Sequence, residues 1–290
     1  AVCIDKPKPF DRYSEDRLML DRLGLADWRM SCPAAYWKGP FLRFLQGAPQ
    51  QGLDAIVRLV NYATERWLEG ELRRNPTDDD RRKYSYEFEI DGKTKYWTGD
   101  ANVYVWHRFQ YMHGDTVECA LMALEKWFYD EIERNNSITE SVQYIFDHGE
   151  SAAFAGLLVS VGLRCPGLFT RELQPLLGNF YVYECQTSLA ASEQDEFWSS
   201  SLSGEPQKAI RLAAEWNRMP HRRGLLRDAA TWLMLQHEGT AQFLAARRTE
   251  WAKLRHGNEK QRLRMEFFLA RFDPENYTKT PQEDGILITM

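Results

Sequence analysis

The sequence predicts a mainly α protein built from stacked antiparallel helical hairpins, an irregular α-solenoid, with one small β-hairpin insertion. Three observations lead there. Residues Ser151–Leu163 (SAAFAGLLVSVGL) are apolar on every side, and a helix of that kind has to be wrapped by other elements. Apolar residues elsewhere recur with helical spacing in segments separated by short Pro or Gly breaks, which favours antiparallel neighbours. Strict alternation of apolar and polar residues is clear in one place, Tyr84–Trp97.

Taken in order, Ser14 is a candidate N-cap for a helix ending near Leu23, with Gly24 as its stop. Pro40 suits the first position of a short helix reaching Gly47. Pro49 opens a longer one on which Leu53, Ile56, Val57, Val60, Thr64, Trp67 and Leu68 share a face. Arg73–Lys83, with Pro76 and three consecutive aspartates, reads as a loop. Tyr84, Tyr86, Phe88 and Ile90 then alternate with Ser85, Glu87 and Glu89, Asp91-Gly92 supplies a type I′ turn, and Lys93–Trp97 returns. A lone hairpin is marginal in water, so its aromatic face is expected to pack on the helices or to pair with Val103–Trp106.

Thr116–Arg134 is the most regular amphipathic helix. Its stripe is Val117, Ala120, Leu121, Leu124, Phe128 and Ile132, with Glu118, Glu125, Lys126 and Glu133 expected largely off it. Thr139 starts a short helix ending at Gly149. Within Ser151–Leu163, the small residues Ala153, Gly156 and Ser160 would let a neighbouring element approach closely, and Pro166 stops the helix. Arg171–Leu177 and Phe180–Leu189 make a further pair, and Ser192–Gly204, serine-rich and acidic, reads as a second loop. Pro206–Asn217, Arg222–Gln236, Thr240–Leu254 and Glu259–Phe272 complete the series. No fixed period matches a known repeat signature, so the array is HEAT-like only in general form. Its expected organisation is a first array over 1–191, carrying the hairpin at 84–97, and a second over 205–290 continuous with the first.

The 290 residues carry a net charge of −5, which gives no global pull toward nucleic acid or an anionic membrane. The charge is uneven, however. Arg218–Arg264 holds eleven Lys/Arg against four Asp/Glu, a local +7, which leaves −12 on the remainder. Five scattered cysteines form no CxxC pair and fit reduced thiols in a cytoplasmic protein. No signal peptide and no apolar run of about 20 residues is present, so no membrane partner is expected. The opening at Ala1 and the apolar β-type close at Gly285–Met290 lead us to expect a segment of a longer polypeptide.

The usual phosphate-cradle, zinc and nucleophile-elbow patterns are not found, and no catalytic, cofactor or metal residue is assigned. The aromatic and polar stretch Trp106–Asp115 interrupts the helical pattern. Its Trp106, His107, Arg108, Tyr111, His113 and Asp115 are therefore the candidate partner-binding residues. An enzyme site around His107 and His113 is one alternative. The second is a nucleic-acid-binding face made by Arg222, Arg223, Arg227, Arg247, Arg248 and Arg255, with Trp232 and Trp251 interleaved. The same arginines also suit a solvated outer face, or a patch docking an acidic protein surface.

Two stretches carry a family resemblance: Val103–Tyr129 with Ala120-Leu-Met-Ala-Leu-Glu-Lys-Trp-Phe-Tyr129, and Ala153–Asn179 with Pro166-Gly-Leu-Phe169 and Pro175-Leu-Leu-Gly-Asn179. Together they resemble segments of very large bacterial ATP-binding proteins, in which a STAND- or AAA-type nucleotide-binding domain is followed by long helical repeats. Some of those proteins are associated with antiviral defence against bacteriophage, where the helical region resembles a sensor arm. The resemblance implies a non-catalytic interaction or sensor module, with protein partners or flanking domains of the same chain. The nucleotide-binding motifs of the family are missing from this segment, so no cofactor and no ATPase activity carry over to it.

Overall fold

A computed structural model of the chain describes residues 34–74, 81–90, 92–108, 115–192, 207–254, 259–282 and 285–289. The helix expected at Ser14–Leu23 and nearly all of the loop expected at Ser192–Gly204 lie outside them. The described residues are mainly helical, with two small antiparallel hairpins. Helix α1 (Phe41–Gly47) and helix α2 (Pro49–Arg74) each start beside a proline, which needs no backbone donor there. On α2 the predicted face is buried at Leu53, Ile56, Val57, Val60, Thr64 and Leu68, with Trp67 half-buried. The helix continues to Arg74, two residues into the segment expected as loop.

Strands β1 (Ser85–Ile90) and β2 (Lys93–Thr98) pair in the register Tyr86↔Trp97 to Ile90↔Lys93. Gly92 in the turn has a left-handed φ of 70°, which glycine adopts without a Cβ clash. The hairpin packs on helices, as expected for a unit that cannot stand alone. Trp97 is fully buried, with ring centroids 4.7 Å from Phe88, 5.8 Å from Phe146 and 6.3 Å from Phe154. The Asn179 side-chain amide donates to the Glu87 carbonyl at 2.6 Å. Val103–Trp106 does not form a third strand. Asp100 accepts from the backbone N–H of Asn102 (2.8 Å) and Val103 (3.0 Å), capping the short helix α3 (Ala101–Tyr104). A 3₁₀ turn, Val105–His107, follows it.

Helices α4 (Asp115–Glu133), α5 (Thr139–His148) and α6 (Ala152–Arg164) come next. Ser151 caps α6 by accepting from the Ala153 N–H at 3.2 Å, and every residue from Ala152 to Gly162 is buried. The predicted greasy rod is therefore real. Its sheath consists of α3, the 105–107 turn, α4, the 3₁₀ turn Pro166–Thr170, and three later helices. Those are α8 (Phe180–Ser192), which follows the short α7 (Gln174–Leu177), α10 (Pro220–Arg223) and α11 (Leu226–Gln236).

Helix α9 (Gln207–Asn217) precedes α10, and α12 (Glu238–Trp251) and α13 (Glu259–Arg271) follow α11. The single helix expected at Arg222–Gln236 is broken at Gly224-Leu225. Tyr183, Trp251, Phe268 and Phe272 knit α8, α12 and the end of α13 together, with ring centroids 4.9–5.8 Å apart. Strands β3 (Thr278–Gln282) and β4 (Gly285–Thr289) form a second hairpin beyond the one expected. The sequence of β3, TKTPQ, has no apolar alternation, and its proline argues against a strand. Only β4 carried a visible β signal. No helix among the described residues is long and apolar enough to cross a membrane.

Candidate functional site

The polar groups with chemical potential converge where α3, α4, α6 and α10 meet. Gly156 makes the meeting possible: a Cβ built on it would lie 2.1 Å from the Tyr104 carbonyl oxygen and 2.6 Å from His107. Only a residue without a side chain lets the 104–107 segment sit on α6. Four residues on, Ser160 turns its hydroxyl to His107 Nε2 at 3.2 Å. Two of the three small residues picked out in the rod therefore serve this approach.

His107 is fully buried. Its Nδ1–H donates to the Tyr104 carbonyl at 3.0 Å, and its Nε2 accepts from the Ser160 hydroxyl and from Arg108 Nε at 3.3 Å. Burial, reinforced by the Arg108 and Arg222 guanidiniums, holds its pKa well below the ordinary histidine value, so the ring is neutral. The bonding pattern fixes the tautomer with the proton on Nδ1. A serine hydroxyl beside an imidazole has the outline of a nucleophile and its base. Here, however, Ser160 is sealed in the core and the second ring nitrogen meets a backbone carbonyl rather than a carboxylate.

Arg222 completes the junction. Its side chain and that of Glu125 are both fully buried, and the two form an ion pair between Nη1 and Oε2. Nη2 donates to the His107 carbonyl at 3.0 Å and to Asn217 Oδ1 at 3.1 Å. The guanidinium carbon lies 5.3 Å from the Trp216 ring centre. Arg108 donates in turn to the Arg222 carbonyl. The second Glu125 oxygen accepts from the Tyr129 hydroxyl at 2.5 Å. Burial, with the Glu125 carboxylate adding to it, raises that hydroxyl's pKa far above the usual range, so it stays a donor. His221 packs edge-on to Tyr129 with centroids 5.1 Å apart, and burial followed by Arg164, Arg222 and Arg108 pushes its pKa down to about 4.

These placements revise several expectations. Trp106, His107 and Arg108, expected in an exposed contact loop, point inward, because the Asp100 cap and Gly156 draw the segment onto the rod. Tyr111 and His113 lie outside the described residues, and Asp115 is described only as the first residue of α4. Arg222, expected on a nucleic-acid face, is the most deeply buried cation of the junction. Arg223 is exposed, Arg227 lies 3.8 Å from Asp228, Arg247 pairs with Glu89 at 2.6 Å and Arg248 with Asp273 at 2.8 Å. Arg255 is outside the described residues. Glu118 and Glu125, expected off the α4 stripe, are fully buried. No cluster of three or more His, Cys, Asp or Glu suited to a metal ion occurs among the described residues.

Sequence reasoning missed Glu125, Tyr129 and Asn217 as members of the site. One signal was available: Glu118, Met122, Glu125 and Tyr129 recur at four-, three- and four-residue steps, a second coherent face on α4. No protein-family model matches the chain, and no match is found among curated proteins.

Proposed function

We propose that the chain is a non-catalytic interaction or sensing module, a helical arm of a larger bacterial regulatory or defence protein that binds a nucleoside triphosphate. One observation carries this reading. His107, Ser160, Glu125 and Arg222, the residues best suited to chemistry, are all fully buried and bonded to one another or to neighbouring backbone. Groups used in this way fix the relative position of helices and leave recognition to the surface. The link to a nucleotide-binding parent rests on the resemblance of Val103–Asn179 to helical segments of such proteins. The irregular solenoid belongs to the same proposal, with α1–α2 and α11–α12 as hairpins of the stacking kind and α6 as the rod against which they close.

The contact region we assign is the outer edge of β2. Tyr96 there is 60 % exposed, and among the described residues no strand pairs with this edge before Thr98, whose N–H bonds the Glu150 carbonyl at 2.7 Å. An exposed strand edge is a template for a partner strand. The test replaces Tyr96, and as a control the buried Trp97, by a photo-crosslinking residue in the full-length protein in its own cells. A discrete protein adduct from position 96 alone is expected, with Tyr96→Ala abolishing co-purification of that protein and leaving the melting temperature unchanged. Absence of an adduct, or unfolding by Tyr96→Ala, refutes the assignment.

A further inference from the structure

A cleft of about 330 Å³ opens between the tip of the first hairpin, the first turns of α5, the 171–175 segment and α12. Its volume falls at the lower end of small-molecule sites, about 300–1,000 Å³. Ile90, Val142, Phe146 and Phe243 supply apolar walls. The charged lining residues are two of each sign: Glu89, Glu172, Arg171 and Arg247.

Each charge is held differently. Arg247 pairs with Glu89 at 2.6 Å, and its guanidinium carbon lies 5.4 Å from the Phe243 ring centre. Glu172 Oε1 accepts from the Thr139 hydroxyl at 2.9 Å. Its Oε2 is shielded from solvent and accepts no hydrogen bond among the described residues, with Arg171 Nε a loose 3.6 Å away. The Arg171 side chain is 69 % exposed at the cleft. A shielded carboxylate oxygen that lacks a donor gains from one.

The charge balance selects the ligand. Glu89 and Arg247 neutralise each other, which leaves Arg171 and the unbonded Glu172 oxygen to choose: an anion would face that carboxylate, a cation that guanidinium, and an uncharged apolar ligand would desolvate both without compensation. A molecule carrying one charge of each sign and an apolar body meets both of these groups and leaves the Glu89–Arg247 pair intact. We infer that this cleft binds a small zwitterion with an apolar side chain, the chemical class of free α-amino acids and dipeptides. Its carboxylate meets Arg171, its ammonium meets Glu172, and its side chain lies against Phe146 and Phe243. This inference rests on the cleft alone and stands or falls separately from the interaction-module reading.

Isothermal titration of the chain with L-phenylalanine and with L-leucyl-L-leucine tests it. Phenethylamine, 3-phenylpropionate and N-acetyl-L-phenylalanine amide are the controls lacking one or both charges. We expect saturable binding of at least one zwitterion, with Kd between about 1 μM and 1 mM. All three controls should bind at least about tenfold more weakly, the loss of one charge-assisted contact. Arg171→Ala, a change at an exposed side chain, should weaken the zwitterion by a similar factor and leave the melting temperature unchanged. No saturation by either zwitterion up to about 10 mM, equal binding of a control, or an Arg171→Ala variant with unaltered Kd each overturns the inference.

Discussion

Replacing Arg222 by methionine isolates the interaction on which the packing of α10 against α4 depends. Both members of the Arg222–Glu125 pair have fully buried side chains. Removing the arginine leaves the Glu125 carboxylate in the core with only the Tyr129 hydroxyl as a hydrogen-bond partner, and takes a donor from the His107 carbonyl and from Asn217. Breaking a buried pair in this way costs about 3–5 kcal/mol. With a shift of roughly 2–4 °C per kcal/mol for a chain of this size, the melting temperature should fall by about 6–20 °C. Glu125→Gln should cost a comparable amount, because it strands the guanidinium instead. The double variant Arg222→Met/Glu125→Gln removes both charges and keeps an oxygen for Tyr129, so it should be more stable than the sum of the single changes predicts, by about 2 kcal/mol or more. Urea unfolding followed by tryptophan fluorescence at pH 7.5 gives all four stabilities. A single variant within about 1 kcal/mol of the parent, or additive losses in the double variant, would refute the clamp.

Two further outcomes follow from the same junction. Gly156→Ala places a methyl group against the Tyr104 carbonyl and the His107 ring; it should destabilise by about 1–3 kcal/mol or more, while alanine at the half-buried Gly70, where nothing lies within 4 Å of an added Cβ, should not destabilise. Equal unfolding midpoints for the two variants would remove the close-approach argument. His107 is kept neutral in the folded chain chiefly by burial, so the unfolded chain takes up the proton first. The stability this contributes is complete above the unfolded value of about 6.5 and is lost as pH falls below it, by up to about 1.4 kcal/mol per unit. His221, with its pKa pushed down to about 4, acts in the same direction between those two values. Comparing urea midpoints at pH 7.5, 6 and 5 for the parent and His107→Gln should show a shallower decline in the variant. Parallel declines would mean that His107 titrates normally.

The parts of the fold legible in the sequence were those encoded by local periodicity. Leu53, Ile56, Val57 and Val60 mark the inner face of α2, and Phe88, Ile90 and Trp97 mark the inner face of the hairpin. Ser151–Leu163 announced its burial by having no polar side. Gly156 and Ser160 were readable as points of close approach because small residues at a four-residue step share a face. The site was less legible. Glu125 and Arg222 are 97 residues apart, and no local pattern tells a buried carboxylate with a distant cation from a solvated one. Ranking Glu125 by its charge alone therefore placed it outside, although α4 also buries Cys119, Met122, Ala123 and Trp127 off the predicted stripe. A helix apolar on so much of its circumference leaves a carboxylate little surface to occupy.

Part of the uneven charge of the chain is taken up in contacts of the same kind. The +7 segment Arg218–Arg264 meets acids from elsewhere in the sequence: Arg222 meets Glu125, Arg247 meets Glu89, and Arg248 meets Asp273. The three pairs are not equivalent. Arg247 and Glu89 retain 29 % and 56 % exposure, and pairs of that kind contribute about 0–1 kcal/mol. They assist the encounter of α12 with the hairpin without fixing its geometry. Arg222 and Glu125 have no exposure, and their geometry is dictated by four further bonds, from Arg222 to His107 and Asn217, from Tyr129 to Glu125, and from Arg108 to Arg222. Of the three pairs, only the buried one can therefore fix register between the early and late helices, and the other two support it at the rim. A cation that must lie in the core to hold that register is unavailable to a phosphate backbone, so Arg222 drops out of the arginine face the sequence offered to nucleic acid, while Arg223 stays on the surface.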